Sequence, residues 1–120
     1  MKTGSVFDDV PTTLDVEQVA DLVHEGGVCI KRIVSTGHTT SWLNPDDEEW
    51  VVVLKGAAVL RFEKGDRKLT MRPGDWCYIP KGCRHRVEET SDREPTVWLA
   101  VHFKVSENTA PDSSGPSSRG

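Results

Sequence analysis

Two segments of this 120-residue chain set chemically capable side chains at fixed distances from turn-forming glycines. The first runs Glu49-Trp-Val-Val-Val-Leu-Lys-Gly56: a carboxylate, six residues, then a glycine. The second runs Gly74-Asp-Trp-Cys-Tyr-Ile-Pro80-Lys-Gly82-Cys-Arg-His85, in which glycine, proline, glycine and histidine are separated by five, one and two residues. A carboxylate and an imidazole are a common pair for proton transfer near neutral pH, and both ligate divalent metals. Glu49 and His85 are therefore the candidate catalytic residues and the candidate metal ligands.

The surrounding residues must bring this pair together. Gly56 lets the chain turn where a side chain would clash. Gly74 and Pro80-Lys81-Gly82 bracket one short strand and fix both of its ends as corners. His85 then opens the next strand, and Glu49 opens its own, so both can point into one enclosure. Val51 and Val53 share the face of Glu49 by period-two alternation.

Together the two segments resemble the paired motifs of the cupin superfamily, over about residues 28–104. The resemblance implies an all-β fold, an antiparallel jelly-roll barrel with a small-molecule pocket. In metal-binding cupins the first motif supplies two histidines ahead of the glutamate, and the second supplies one more. The bound ion is Fe, Mn, Ni or Zn. Here Trp42 and Asn44 occupy the two histidine positions. Tryptophan cannot ligate a metal and a neutral amide is a poor ligand for a transition ion, so Asn44 and His102 enter only as supplements to Glu49 and His85. The block Trp42-Leu-Asn-Pro-Asp-Asp-Glu-Glu-Trp50 and the ending Pro95-Thr-Val-Trp-Leu-Ala-Val-His-Phe103 are similar to a subgroup of small bacterial cupins, some bearing labels borrowed from sugar-phosphate isomerases. The resemblance also implies a homodimer.

The remaining candidates are weighed on the same residues. His102 shares a strand face with Trp98 and Ala100, while Val97, Leu99, Val101 and Phe103 form an apolar opposite face that reads as core. His102 therefore faces the pocket or solvent. Trp42, in place of a ligand, is expected to floor the pocket, and Trp42, Asn44, Val51, Trp98 and His102 make up the expected ligand-binding set. His38 falls in a Gly-Thr-rich loop. His24 closes an expected helix, where a cation is mildly favourable. The run Asp46-Asp47-Glu48 reads as a solvated loop. Arg84 and Arg86 flank His85 and face away from it, with Glu88 or Asp92 as surface partners for Arg86.

Along the chain, residues 1–13 read as an irregular arm, 14–105 as the barrel and 106–120 as a disordered tail of Ser, Pro, Gly and Asn. Asp15 followed by Val16, Val19, Ala20, Leu22 and Val23, ended by Gly26-Gly27, predicts one short amphipathic helix over residues 15–24. After Gly27, short β-rich runs separated by turn residues predict a barrel or sandwich. Lys55-Gly56 and Lys64-Gly65-Asp66 read as hairpin turns and Pro73-Gly74-Asp75 as a tight corner.

Composition narrows the function classes. Apolar residues make up 36% and charged residues 28%, enough for one globular core. A net charge of −4 without a basic stripe gives a nucleic-acid partner no support. No apolar run approaches a membrane span. Cys29, Cys77 and Cys83 are scattered without a CxxC pair, which favours a reducing cytoplasm over a disulfide framework. Two functions follow. One is a degenerate cupin that binds a small polar molecule, with at most a weakly held divalent metal. The other is a metal-dependent enzyme, an isomerase or lyase, working through Glu49 and His85.

Overall fold

The computed structural model describes residues 1–105; the tail expected to be disordered, 106–120, lies outside the described residues. Eight strands follow one another: β1 (Gln18–Glu25), β2 (Val28–Ser35), β3 (Glu48–Lys55), β4 (Ala58–Phe62), β5 (Arg67–Met71), β6 (Trp76–Ile79), β7 (His85–Thr90) and β8 (Thr96–Phe103). They form two antiparallel sheets, ordered β1-β2-β8-β3-β6 and β5-β4-β7. The jelly-roll expectation holds.

The N-terminal helix does not form. Residues 18–25 pair instead with β2, from Gln18↔Val34 to Glu25↔Val28, through the Gly26-Gly27 turn. Gln18, Ala20 and Leu22 are half-buried while Val19, Asp21 and Val23 are exposed, the period of a strand. Val16, Val19, Ala20 and Val23 match a helical template as well as a strand one. The unpaired edge of β2 decides between them, because a strand satisfies its backbone groups and a helix would not.

The corners also differ from the simplest reading. Lys64–Asp66 forms a 3-10 turn that closes the β4–β5 hairpin. Lys55-Gly56 is not a hairpin turn, because β3 and β4 lie in different sheets. Gly56 is instead the crossing point. Its φ is +87°, and a Cβ there would stand 2.6 Å from Thr96 Cα. Pro73-Gly74-Asp75 carries the chain back, with Gly74 N–H donating to Val53 O at 2.7 Å and Val53 N–H donating to Asp75 O at 3.1 Å.

The core lies between the sheets. Val51, Val53, Ile79, Trp98 and Ala100 of the large sheet meet Ala58, Leu60, Met71 and Val87 of the small one. The inward face of β8 is therefore Trp98 and Ala100, not the apolar series expected. Val97 is also buried, but Leu99, Val101 and Phe103 lie half-buried on the outer face. The alternation holds and the inward side is the reverse of the expected one, because an apolar outer face on an open sheet looks like core in one dimension.

Candidate functional site

Glu49 and His85 line one cavity of about 80 Å³ inside the barrel. Glu49 opens β3, pairs with Ile79 on one side and His102 on the other, and is carried inward on the face of Val51. Its side chain is 15% exposed, and Oε2 lies 3.7 Å from His102 Nε2. His102 thus sits on the inner face as the neighbour of Glu49 and does not line the cavity itself.

His85 opens β7 and is 4% exposed. Its Nδ1 stands 2.8 Å from the carbonyl oxygen of Cys83. A carbonyl can only accept, so Nδ1 carries a proton, and in the neutral imidazole the lone pair is on Nε2. Leu43 bridges the backbone of His85, with His85 N–H donating to Leu43 O at 3.0 Å. Thr40 Oγ1 accepts from Val87 N–H at 2.9 Å. The connection between β2 and β3 is thereby sewn along the β7 edge, and its Thr40 and Leu43 close one wall of the cavity. His38 belongs to this stitching through its carbonyl, which accepts from Thr90 Oγ1–H at 2.7 Å, while its Nδ1 accepts from Thr36 N–H at 2.9 Å within the connection.

A second carboxylate reaches the cavity from the segment ahead of β1. Glu17 lines it, and Glu17 Oε2 accepts a 2.6 Å hydrogen bond from Ser35 Oγ. Ser35 is fully buried and in turn accepts from Trp98 Nε1–H at 3.1 Å. Sequence reasoning missed Glu17 because its segment read as the start of a helix. The clue present was a serine ending β2 with a tryptophan six strands later in sequence order, and only the register of β2 against β8 brings them together.

Of the expected site residues, Glu49, His85, Val51 and Trp98 share the cavity, and Trp42, Asn44 and His102 do not line it. Trp42 packs outside the barrel wall, with the guanidinium of Arg86 4.9 Å and that of Arg84 5.7 Å from its ring centroid. Asn44 is exposed. Arg86 also meets Glu88 at 3.0 Å, as expected, and Arg84 meets Glu63 at 3.1 Å. A larger depression of about 550 Å³ lies elsewhere, walled by exposed Arg72, Glu89, Asp92 and Arg93. It holds charges of both signs and no motif residue, so size alone does not make it the site.

The cavity does not fit the metal that cupin motifs imply. Among the described residues, the one group of three His, Cys, Asp or Glu ligand atoms that converges lies at the β1–β2 hairpin, away from Glu49 and His85. Within the barrel, Glu17, Glu49 and the lone pair of His85 Nε2 are hydrogen-bond acceptors in an otherwise largely apolar wall of Ile33, Leu60, Ile79 and Val87. No lysine or arginine lines it. Such a wall can hold donor groups and positive charge, and it can take a proton from a bound molecule.

The comparisons agree with the fold. The chain is 41% identical to a proposed mannose-6-phosphate isomerase from Ralstonia eutropha JMP134, with a TM-score of 0.84 over 88% of this chain and 100% of that one. It shares the fold of a cupin superfamily protein from Desulfitobacterium hafniense DCB-2, at 18% identity and TM-score 0.68 over 80% and 84% of the two chains. The polyketide cyclase RemF from Streptomyces resistomycificus is similar in fold at 19% identity and TM-score 0.71, over 86% and 79%. No curated protein matches the chain. A family model for the cupin domain matches residues 33–102, more than half of the chain, which therefore belongs to the cupin family.

Proposed function

We propose that the barrel binds a small, donor-rich polar molecule, one bearing an ammonium group or several hydroxyls. The observation that carries this reading is the cavity wall, with two carboxylates and an imidazole lone pair facing inward and no cationic side chain. Ser35 satisfies one acceptor site of Glu17 and His102 flanks Glu49, so a ligand that supplies donors meets the acceptor capacity that these neighbours leave over. The volume of about 80 Å³ is well below the roughly 300 Å³ at which pockets for drug-sized ligands begin, so the ligand is small.

A second reading, a metal-dependent isomerase or lyase acting through Glu49 and His85, draws support from the 41% identity to the Ralstonia protein. Its difficulty is electrostatic. A phosphate dianion placed between Glu17 and Glu49 meets like charge and no arginine or lysine. Thermal-shift titration with small amines, polyols and mannose 6-phosphate separates the two. The first reading expects saturable stabilisation by an amine or polyol, at least tenfold weaker in Glu49→Gln, and none by mannose 6-phosphate. Turnover of mannose 6-phosphate that is lost in His85→Ala would replace it with the second.

We also propose that two copies pair through the outer face of β3, β6 and β8. Trp50 and Trp76 lie 6.1 Å apart there, and Tyr78 stacks on Phe103 at 6.2 Å. Trp76 is 61% exposed. Strands β3 and β8 are apolar on both faces, the pattern of strands covered on both sides. Light scattering should give twice the chain mass, and Trp76→Glu should give the single mass. A monomeric native protein would overturn the pairing. The three unpaired thiols support placing the chain in a reducing cytoplasm.

A further inference from the structure

The β1–β2 hairpin carries an arrangement that neither the barrel cavity nor the cupin motifs require. Asp21 and His24 are three residues apart in one strand, and regular alternation would put them on opposite faces. A register irregularity between Asp21 and Val23 adds a residue to that strand. It turns Asp21 and His24 to the same side, where Cys29 of β2 is the direct register partner of His24. Cys29 Sγ lies 3.7 Å from Asp21 Oδ1, and His24 Nδ1 lies 4.0 Å from Asp21 Oδ2. One ligand atom from each of the three falls within 4.8 Å of the others.

We propose that Asp21, His24 and Cys29 form a site for a borderline divalent transition ion such as Zn²⁺ or Co²⁺. A thiolate, an imidazole and a carboxylate are the donor set such ions prefer. A tetrahedral ion with bonds of about 2.0–2.3 Å holds its ligand atoms about 3.3–3.6 Å apart. The two separations to Asp21 exceed this by a few tenths of an ångström and the 4.8 Å outer limit of the set exceeds it by just over an ångström, a gap that rotation of the exposed Asp21 and His24 side chains closes. As the Sγ–metal bond forms, the thiol proton leaves to solvent, and water fills the fourth position. Asp21 and His24 are exposed, so the ion has open access, and Cys29 is half-buried beneath them. The bound ion joins the edge strand β1 to β2 beside the Gly26-Gly27 turn and stabilises the hairpin at the edge of the large sheet. The proposal is independent of the cavity reading, since it shares no residue with the cavity.

Cobalt titration of the full-length chain tests it. One equivalent of Co²⁺ should produce tetrahedral visible bands together with a thiolate-to-cobalt charge-transfer band, and Zn²⁺ should displace both. Cys29→Ser should abolish the charge-transfer band, and His24→Ala should weaken binding at least tenfold. Cys77→Ser/Cys83→Ser and His85→Ala should leave the bands intact, and thermal melts show whether each variant is folded. Three results overturn the proposal: no charge-transfer band, a band that survives Cys29→Ser, or a band lost with the other two cysteines.

Discussion

Glu17 and Ser35 are joined by a 2.6 Å hydrogen bond that places a carboxylate from outside the strands in the wall of the barrel cavity. Because Ser35 Oγ also accepts from Trp98 Nε1–H, the three residues form one directional chain from the core to the cavity. Substitutions separate its structural part from its charge. Ser35→Ala leaves the buried indole N–H without an acceptor, which should cost about 1–3 kcal/mol in denaturant unfolding. Glu17→Gln keeps an acceptor for Ser35 and removes only the charge. It should leave the unfolding midpoint nearly unchanged while weakening an amine ligand at least tenfold. Equal loss of stability in both variants would show that Glu17 serves packing alone.

Gly56 should tolerate no side chain. Alanine there adopts a left-handed conformation, which costs about 1–2 kcal/mol, and drives its Cβ into the backbone of Thr96, which adds about 1–3 kcal/mol. Gly56→Ala should therefore lose about 2–5 kcal/mol of stability. Gly26 also has positive φ, +55°, but nothing stands near its missing Cβ. Gly26→Ala should lose only the conformational part. Similar melting temperatures for the two variants would refute the close approach of β3 and β8 at this corner.

The difference between these glycines marks what can be read from the chain alone. The motif glycines, Pro80 and the short β-rich runs predict the barrel because turns and alternation are local. Glu49 and His85 meet because both open strands whose ends are fixed by those turns. What depends on register was not legible. Glu17 enters the cavity only through β2 and β8, and Trp42 is gripped by Arg84 and Arg86 across a connection that has no period. His24 and Cys29 become partners only after residues 18–25 choose strand over helix. The outer face of β8 misleads for a further reason: an apolar surface and a core have the same one-dimensional pattern.

Tyr78, the one tyrosine of the chain, donates its hydroxyl to Glu48 Oε1, and this bond and partial burial push its pKa up to about 12. The bond holds only while the phenol is protonated. Its contribution to stability is full below pH 10, the ordinary value, and is lost as pH rises toward 12. Tyrosinate absorption titrated on the folded protein should show a single midpoint near 12. Glu48→Gln should move that midpoint down toward 10. A native midpoint near 10 would mean that Tyr78 and Glu48 are not bonded in solution.

Glu88 offers the acid counterpart. Lys68, Arg61 and Arg86 surround its carboxylate at 2.9, 3.0 and 3.0 Å and pull its pKa down to about 2 from 4.5. Lys68 makes the largest contribution. A lowered folded-state value means that the cluster stabilises the protein above pH 4.5 and loses this as pH falls toward 2. Glu88→Gln should therefore melt below the native protein at pH 7, with a gap that narrows steadily between pH 4.5 and 2. Three cations would then face a neutral amide, so added salt should raise the variant's melting temperature more than the native protein's. The cluster joins all three strands of the small sheet, since Lys68 stands on β5, Arg61 on β4 and Glu88 on β7. A gap that stays constant with pH would assign the loss to packing of the side chain and not to its charge.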